Sequence, residues 1–198
     1  MYHRQASFLQ KAATVSKIDN AYNVYSKHIY DEEKIQLLRQ HHLKIAGSVP
    51  SVLWELFGAL LTGRSGAGNT GADLVGWEVK SAKNVGSYEY QYHLKTGAQK
   101  LKDDCFVNHL FCRYSETYKD VSVRSIGGEK LAETFFRPWM PEYERNYDTS
   151  APAGQRRQRF RKNISSGYVE ANGALILKIQ EGIIVERHDD VLDRFNGD

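Results

Sequence analysis

The stretch SVLWELFGALLTG at residues 51–63, running straight into GRSGAGNTG at 63–71, limits the fold of this chain more than any other. Val52, Leu53, Leu56, Phe57, Leu60 and Leu61 recur at the i, i+3, i+4 spacing of one helical face, which predicts an amphipathic helix with that face committed to a core. Pro50 and Ser51 supply a start signal and Gly63 a stop. The glycines beyond it are too dense for regular structure, so the backbone turns there. GADLVGWEVKSAK follows, with two short apolar pieces meeting around Val75 and Gly76, and predicts a hairpin or a bent strand pair.

Upstream, Ile29, Ile35, Leu37, Leu38 and Leu43 sit at helical spacing in a polar stretch and predict helices forming an arm or cap over residues 1–48. Downstream, Tyr88, Tyr90 and Tyr92 alternate along a strand to His93, and TGAQKLKDD reads as a short helix. CFVNHLFCRY and DVSVRSI read as strands, and GGEKLAETFF as the start of another helix. Residues 137–163 are irregular and aromatic, with Pro138, Trp139, Pro141, Tyr143 and Tyr147, and read as a long functional loop. ALILKIQEGIIVERH closes the chain as a hairpin turning at Glu181 and Gly182. Strands mixed with helices, without repeat or linker, predict one α/β domain of 198 residues with a mixed central sheet flanked by helices and an N-terminal helical arm.

Hydrophobic residues at 41% and charged residues at 26% match ordinary globular usage and exclude a disordered or fibrous chain. No apolar run reaches the roughly 18 residues that cross a bilayer, and MYHRQASFLQKAATVSK is unlike a signal peptide, so a soluble cytoplasmic protein is expected. Cys105 and Cys112 are expected on opposite faces of one strand, as buried thiols rather than a disulfide or metal ligands.

Asp73 and Glu78 lie five residues apart, and Lys80 follows Glu78 by two. On a strand, Glu78 and Lys80 share one face while Trp77 and Val79 point the other way into the core. Asp73, on the adjoining strand, reaches across the turn toward Glu78. Two converging carboxylates beside an ammonium are costly, since like charges repel and burial penalises each. A divalent cation relieves that cost, and oxygen ligands completed by water suit Mg²⁺, with Mn²⁺ as a substitute. Such an ion polarises a phosphodiester, and Lys80 adds positive charge beside it. Glu55, an acid inside the apolar helix, is expected beside the same site, or else as a boundary residue turned outward. A Glu-x-Lys alternation by itself is commonly an exposed strand. The helix acid, the glycine-rich loop and the preceding Asp, in that order, set this one apart.

Glu55, Asp73 and the tripeptide Glu78-Val79-Lys80, all within residues 50–83, resemble the PD-(D/E)xK nuclease superfamily, which includes many type II restriction endonucleases, and their order is similar to its MutH-like arrangement. Ala72 stands where proline would precede the Asp, and the spacing to Glu78 is short. The resemblance implies a restriction-endonuclease-like core and Mg²⁺-dependent hydrolysis of double-stranded DNA at a specific sequence. It implies catalytic roles for Asp73, Glu78, Lys80 and Glu55, with Asp73, Glu78 and Glu55 as metal ligands, and commonly a homodimer. Residues 49–136 are then the catalytic core and residues 137–198 a DNA-contacting loop with the C-terminal hairpin. A repair nuclease or junction resolvase of the same superfamily, and a non-catalytic DNA-binding protein, remain alternatives.

Net charge is only +3, but QRRQRFRK crowds Gln155, Arg156, Arg157, Arg159, Arg161 and Lys162 together, which suits a phosphate backbone or a solvated basic face. Lys95, Gln99 and Lys100 offer DNA contacts nearer the active strand. Tyr88, Tyr90, Tyr92 and His93 read either as contacts near the site or as a sheet face under a helix, the latter for at least two of the tyrosines. Residues 66–71 match GxGxxG, but dinucleotide binding needs strand before helix and the order here is the reverse. His41, His42 and His109 have no partner at metal-ligand spacing and read as structural.

Overall fold

In the computed structural model, which describes residues 16–68, 71–147, 150, 152, 154 and 159–197, Ser16 caps the first helix by accepting from the Asp19 amide at 3.1 Å. Helix α1 (Lys17–Val24) runs on through a π-helical turn at Tyr25–Ile29, and Asp31 caps α2 (Glu32–Gln40) in the same manner. Ile18, Ala21, Tyr25 and Ile29 are fully buried against Phe57 and Leu61 of α3 (Ser51–Thr62). The expected N-terminal helices are thus a cap built into the core; residues 1–15 of that segment lie outside the described residues. Helix α3 starts after Pro50 and stops at Gly63, which takes φ +70°. Its apolar stripe is wider than its buried face: Trp54, Phe57 and Leu61 are buried, while Val52 and Leu56 are exposed.

The main sheet has five strands in the order β1 (Trp77–Lys83), β3 (Asn108–Tyr114), β4 (Val121–Gly127), β6 (Ala174–Gln180) and β7 (Ile183–Arg187). β1 and β3 are parallel and the other pairs antiparallel, giving the expected mixed sheet flanked by helices. A parallel pair needs a crossover, here made by β2 (Ser87–His93) and α4 (Gly97–Asp103). The β6–β7 hairpin turns at Glu181 and Gly182, both with positive φ (48° and 81°), as its strand twist favours. Alternation divides the sheet's side chains between two cores. Val79, Leu110, Cys112 and Val123 pack with α1, α3 and α8 (Asp189–Asn196), whereas Ala82, Phe111 and Ile126 pack on the opposite side.

Residues 137–146 and 159–163 form a helix and a strand rather than the expected loop. After α5 (Gly128–Leu131) and a π-helical turn at Ala132–Phe136, helix α6 (Arg137–Asn146) buries Trp139 and Tyr143 in the second core. The π turn lies just ahead of Pro138, whose ring would clash with a carbonyl in a regular helix. β5 (Arg159–Ser165) then pairs antiparallel with β2 in a separate two-stranded sheet, followed by α7 (Ser166–Asn172). Tyr88, Tyr90 and Tyr92 face inward from β2, each 1% exposed, so all three are core residues rather than surface contacts. Cys105 sits in the turn after α4, not on a strand, and both cysteines are buried free thiols. Among the described residues no helix is long and apolar enough to cross a membrane.

Candidate active site

A two-residue turn brings Asp73 and Glu78 together. Leu74 N donates to Trp77 O at 2.9 Å and Trp77 N to Leu74 O at 3.0 Å, bracketing Val75 and Gly76. Gly76 takes φ +77°, a left-handed conformation open to glycine at little cost. With Leu74 opposite Trp77, the next pair outward is Asp73 opposite Glu78. The Asp73 amide donates to Glu78 Oε2 at 3.3 Å, and the Val79 amide donates to Asp73 Oδ2 at 2.9 Å. The glycine-rich segment braces this hairpin, since Gly66 bridges Leu74 and Val75 N donates to Ser65 O at 2.9 Å. Helix therefore precedes loop and strand, the wrong order for a dinucleotide fingerprint. Asn69 and Thr70 lie outside the described residues.

Glu78 and Lys80 share the face of β1 that looks toward β2 and α4, with Trp77 and Val79 in the core on the other side. Glu78 is 1% exposed, and both of its oxygens are held. Oε1 accepts from Lys80 Nζ at 2.5 Å and Oε2 from Lys100 Nζ at 2.8 Å. Lys100 also donates to Asp104 Oδ1 at 2.7 Å, and Tyr92 OH donates to Asp104 Oδ2 at 2.9 Å. Lys80 Nζ lies 5.1 Å from the centre of the Tyr90 ring, close enough for a cation–π attraction. Tyr90 OH meets His109 Nδ1 at 2.9 Å, and His109 Nε2 meets the Asp104 carbonyl at 2.8 Å. A carbonyl only accepts, so the His109 proton sits on Nε2 and Nδ1 accepts from Tyr90. His109 is the structural residue expected.

Four carboxylates, from Glu55, Asp73, Glu78 and Asp104, share two ammonium groups, a surplus of two negative charges when all are ionised. Burial pushes the Glu78 pKa up, but Lys80 and Lys100 overcome it and hold the group at about 2, firmly ionised. Asp73 is raised, first by burial and then by Glu78, while Lys80 pulls the other way. Glu55 is also raised, by burial and then by Asp73. Burial keeps the His109 imidazole neutral, with a pKa near 4.

Glu55, Asp73 and Lys100 line a cleft of about 570 Å³, together with Gln91, His93 and Lys95. Glu78 lies beneath its surface. Among the described residues no group of three or more His, Cys, Asp or Glu forms a ready metal cage. Glu78, expected as a ligand, has both oxygens taken by Lys80 and Lys100; the donors that remain, Asp73 and Glu55, fit an oxygen-ligated divalent ion that keeps several waters. Asp73 has Oδ2 engaged and no partner for Oδ1 among the described residues. The surplus of two charges matches such an ion, and the raised pKa values of Asp73 and Glu55 mark where its charge would be felt most.

Of the residues expected to meet DNA, Gln155, Arg156 and Arg157 lie outside the described residues. Arg159 and Arg161 are exposed on β5, and Lys162 pairs with Glu142 at 2.5 Å. Lys95 and Gln99 are exposed on the cleft. Lys100 turns inward, its ammonium spent on Glu78 and Asp104, and is part of the charged cluster rather than an outward phosphate contact. Asp104 was not singled out from sequence, and Tyr90 and Tyr92 were weighed only as contacts near the site or as a sheet face, not as partners of Lys80, His109 and Asp104. Lys100 and Asp104 at i, i+4 on TGAQKLKDD were the available signal, but nothing in the spacing says that they meet Glu78. No family model matches the chain, and no curated protein matches it.

Proposed function

We propose that this chain is a Mg²⁺-dependent endonuclease hydrolysing phosphodiester bonds of double-stranded DNA at a specific sequence, in the manner of type II restriction endonucleases. The reading includes a homodimer acting in the cytoplasm. One observation carries it: the Val75-Gly76 turn sets Asp73 against Glu78 and Lys80 beside a cleft that also holds Glu55. Asp73, fixed through Oδ2 by the Val79 amide, has no partner for Oδ1 among the described residues, which leaves that oxygen for a cation, and Glu55 offers a second carboxylate from α3. Mg²⁺ held there would polarise the scissile phosphate and lower the pKa of an attacking water. Lys80, steadied by Glu78 and the Tyr90 ring, supplies positive charge for the phosphate oxygens as negative charge builds on them. Lys100 keeps Glu78 in place from behind.

The test is cleavage of supercoiled plasmid by the parent, Asp73→Ala and Lys80→Ala proteins in Mg²⁺, Ca²⁺ and EDTA. Discrete fragments from the parent in Mg²⁺ alone, with both variants slowed by about 100-fold or more, support the reading. Unaltered cleavage by the variants removes the site. An intact plasmid beside cut branched DNA would favour a junction resolvase, and tight binding without any cleavage a non-catalytic DNA-binding protein.

A further inference from the structure

β2 and β5 form a two-stranded ribbon separate from the main sheet, paired from Ser87 with Ser165 to His93 with Arg159. Its inner face, Tyr88, Tyr90, Tyr92, Phe160 and Ile164, is buried in the second core. Its outer face carries Glu89 opposite Asn163, Gln91 opposite Arg161, and His93 opposite Arg159. A two-stranded ribbon is one of the shapes that the duplex major groove, about 12 Å wide, admits. Outward rows recur every second residue, roughly 7 Å apart or about two base-pair steps. Amide, guanidinium and imidazole groups at that spacing are suited to hydrogen-bonding base edges.

These side chains are already organised. Arg161 Nε donates to Gln91 Oε1 at 3.0 Å and lies 3.8 Å from Glu89 Oε1. Gln91 Nε2 meets His93 Nε2 at 3.3 Å. The guanidinium is thus held by its inner nitrogen, and its two terminal nitrogens have no partner among the described residues. That fork is what pairs with guanine O6 and N7. Polar side chains on a solvated sheet face need no ligand in general, but two further facts single out this face. Gln91 and His93 also line the cleft with Asp73 and Glu55. Arg145, Arg159, Arg161 and Lys162 border an adjoining hollow in which Glu142 is the one acid among the described residues, making that flank positive toward a polyanion.

We propose that the outer face of the β2–β5 ribbon enters the major groove and reads bases, with Arg161 as a guanine-reading residue positioned by Gln91 and Glu89. It rests on the nuclease reading and makes the substrate a duplex with a required G·C pair beside the cut. The test is selection of bound duplexes from a random-sequence pool with Ca²⁺ in place of Mg²⁺, so that binding is read without cleavage. The parent should enrich a motif containing a fixed guanine. Arg161→Ala and Arg161→Lys should both lose preference at that one position by roughly 10- to 100-fold while keeping the rest. Arg145→Ala, on the exposed positive flank beside the ribbon, should keep the motif and weaken all sequences alike, lowering the salt slope by about one. A parent pool with no enriched sequence, an Arg161→Ala motif unchanged from the parent's, or full rescue by Arg161→Lys overturns the proposal. Each leaves the plasmid assay, and with it the nuclease reading, to be judged separately.

Discussion

Replacing Lys100 by Met removes one ammonium from between two carboxylates that have almost no contact with solvent. Lys100 Nζ is 2.7 Å from Asp104 Oδ1 and 2.8 Å from Glu78 Oε2, and those side chains are 0% and 1% exposed. Glu78 keeps Lys80, but among the described residues the Asp104 carboxylate keeps only the Tyr92 hydroxyl. Breaking a buried pair from one side typically costs about 3–5 kcal/mol. Here the cost has a ceiling, because Asp104, already raised above its usual 3.8, can escape by taking up a proton. Holding that proton at pH 7, when the unfolded carboxyl would be ionised, costs about 4 kcal/mol at roughly 1.4 kcal/mol per unit. A loss of about 3–4 kcal/mol at pH 7 is therefore expected, shrinking by nearly 3 kcal/mol, or roughly 1.4 per unit, on going to pH 5. Urea unfolding of both proteins at the two pH values measures it, and Asp104→Asn added to Lys100→Met should recover most of the loss. A penalty under about 1 kcal/mol, or one equal at both pH values, would refute the reasoning.

Three further outcomes are expected. A Cβ at Gly128 would lie 2.5 Å from the Val107 carbonyl oxygen and 2.6 Å from that of Asp104, backbone atoms with no easy way to yield, so Gly128→Ala should lower stability by at least about 2 kcal/mol in thermal or urea unfolding. His109 has a folded pKa near 4 against 6.5 unfolded. Its stabilising contribution is full above pH 6.5 and is lost as pH falls through 4, by about 3 kcal/mol in total. The parent should accordingly take up close to one more proton on unfolding near pH 5 than His109→Asn does, and equal pH slopes would contradict this. Tyr90→Leu, which removes both the ring beneath Lys80 and the hydroxyl to His109, should cost about 2–4 kcal/mol in urea unfolding, and a neutral result would leave that contact without weight.

Much of this architecture could be read where one local rule acted alone. Helix α3 had periodicity, a start and a stop agreeing. The turn at Val75 and Gly76, the tyrosine alternation of β2 and the Glu181-Gly182 hairpin each follow from short-range chemistry. The Asp73–Glu78 meeting was legible for the same reason, since a two-residue turn makes them cross-strand neighbours. α6 was hidden by Pro138 and Pro141, and its helical state depends on Trp139 and Tyr143 finding the second core. β5 was hidden by its arginines, although RFRKNIS already alternates Phe160 and Ile164 with Arg159, Arg161 and Asn163. Its strand state comes from pairing with β2, roughly 70 residues away. Lys100 was misread as an outward cation because only the tertiary structure brings α4 against Glu78.

The most direct test of the central claim is single-turnover cleavage of an end-labelled duplex by the parent and Asp73→Asn proteins in Mg²⁺. Asparagine keeps an oxygen for the Val79 amide while removing the charge. The account expects Asp73→Asn to unfold at nearly the same urea concentration as the parent and to cut about 100-fold more slowly or worse. An Asp73→Asn protein that folds and cuts at the parent's rate would contradict it.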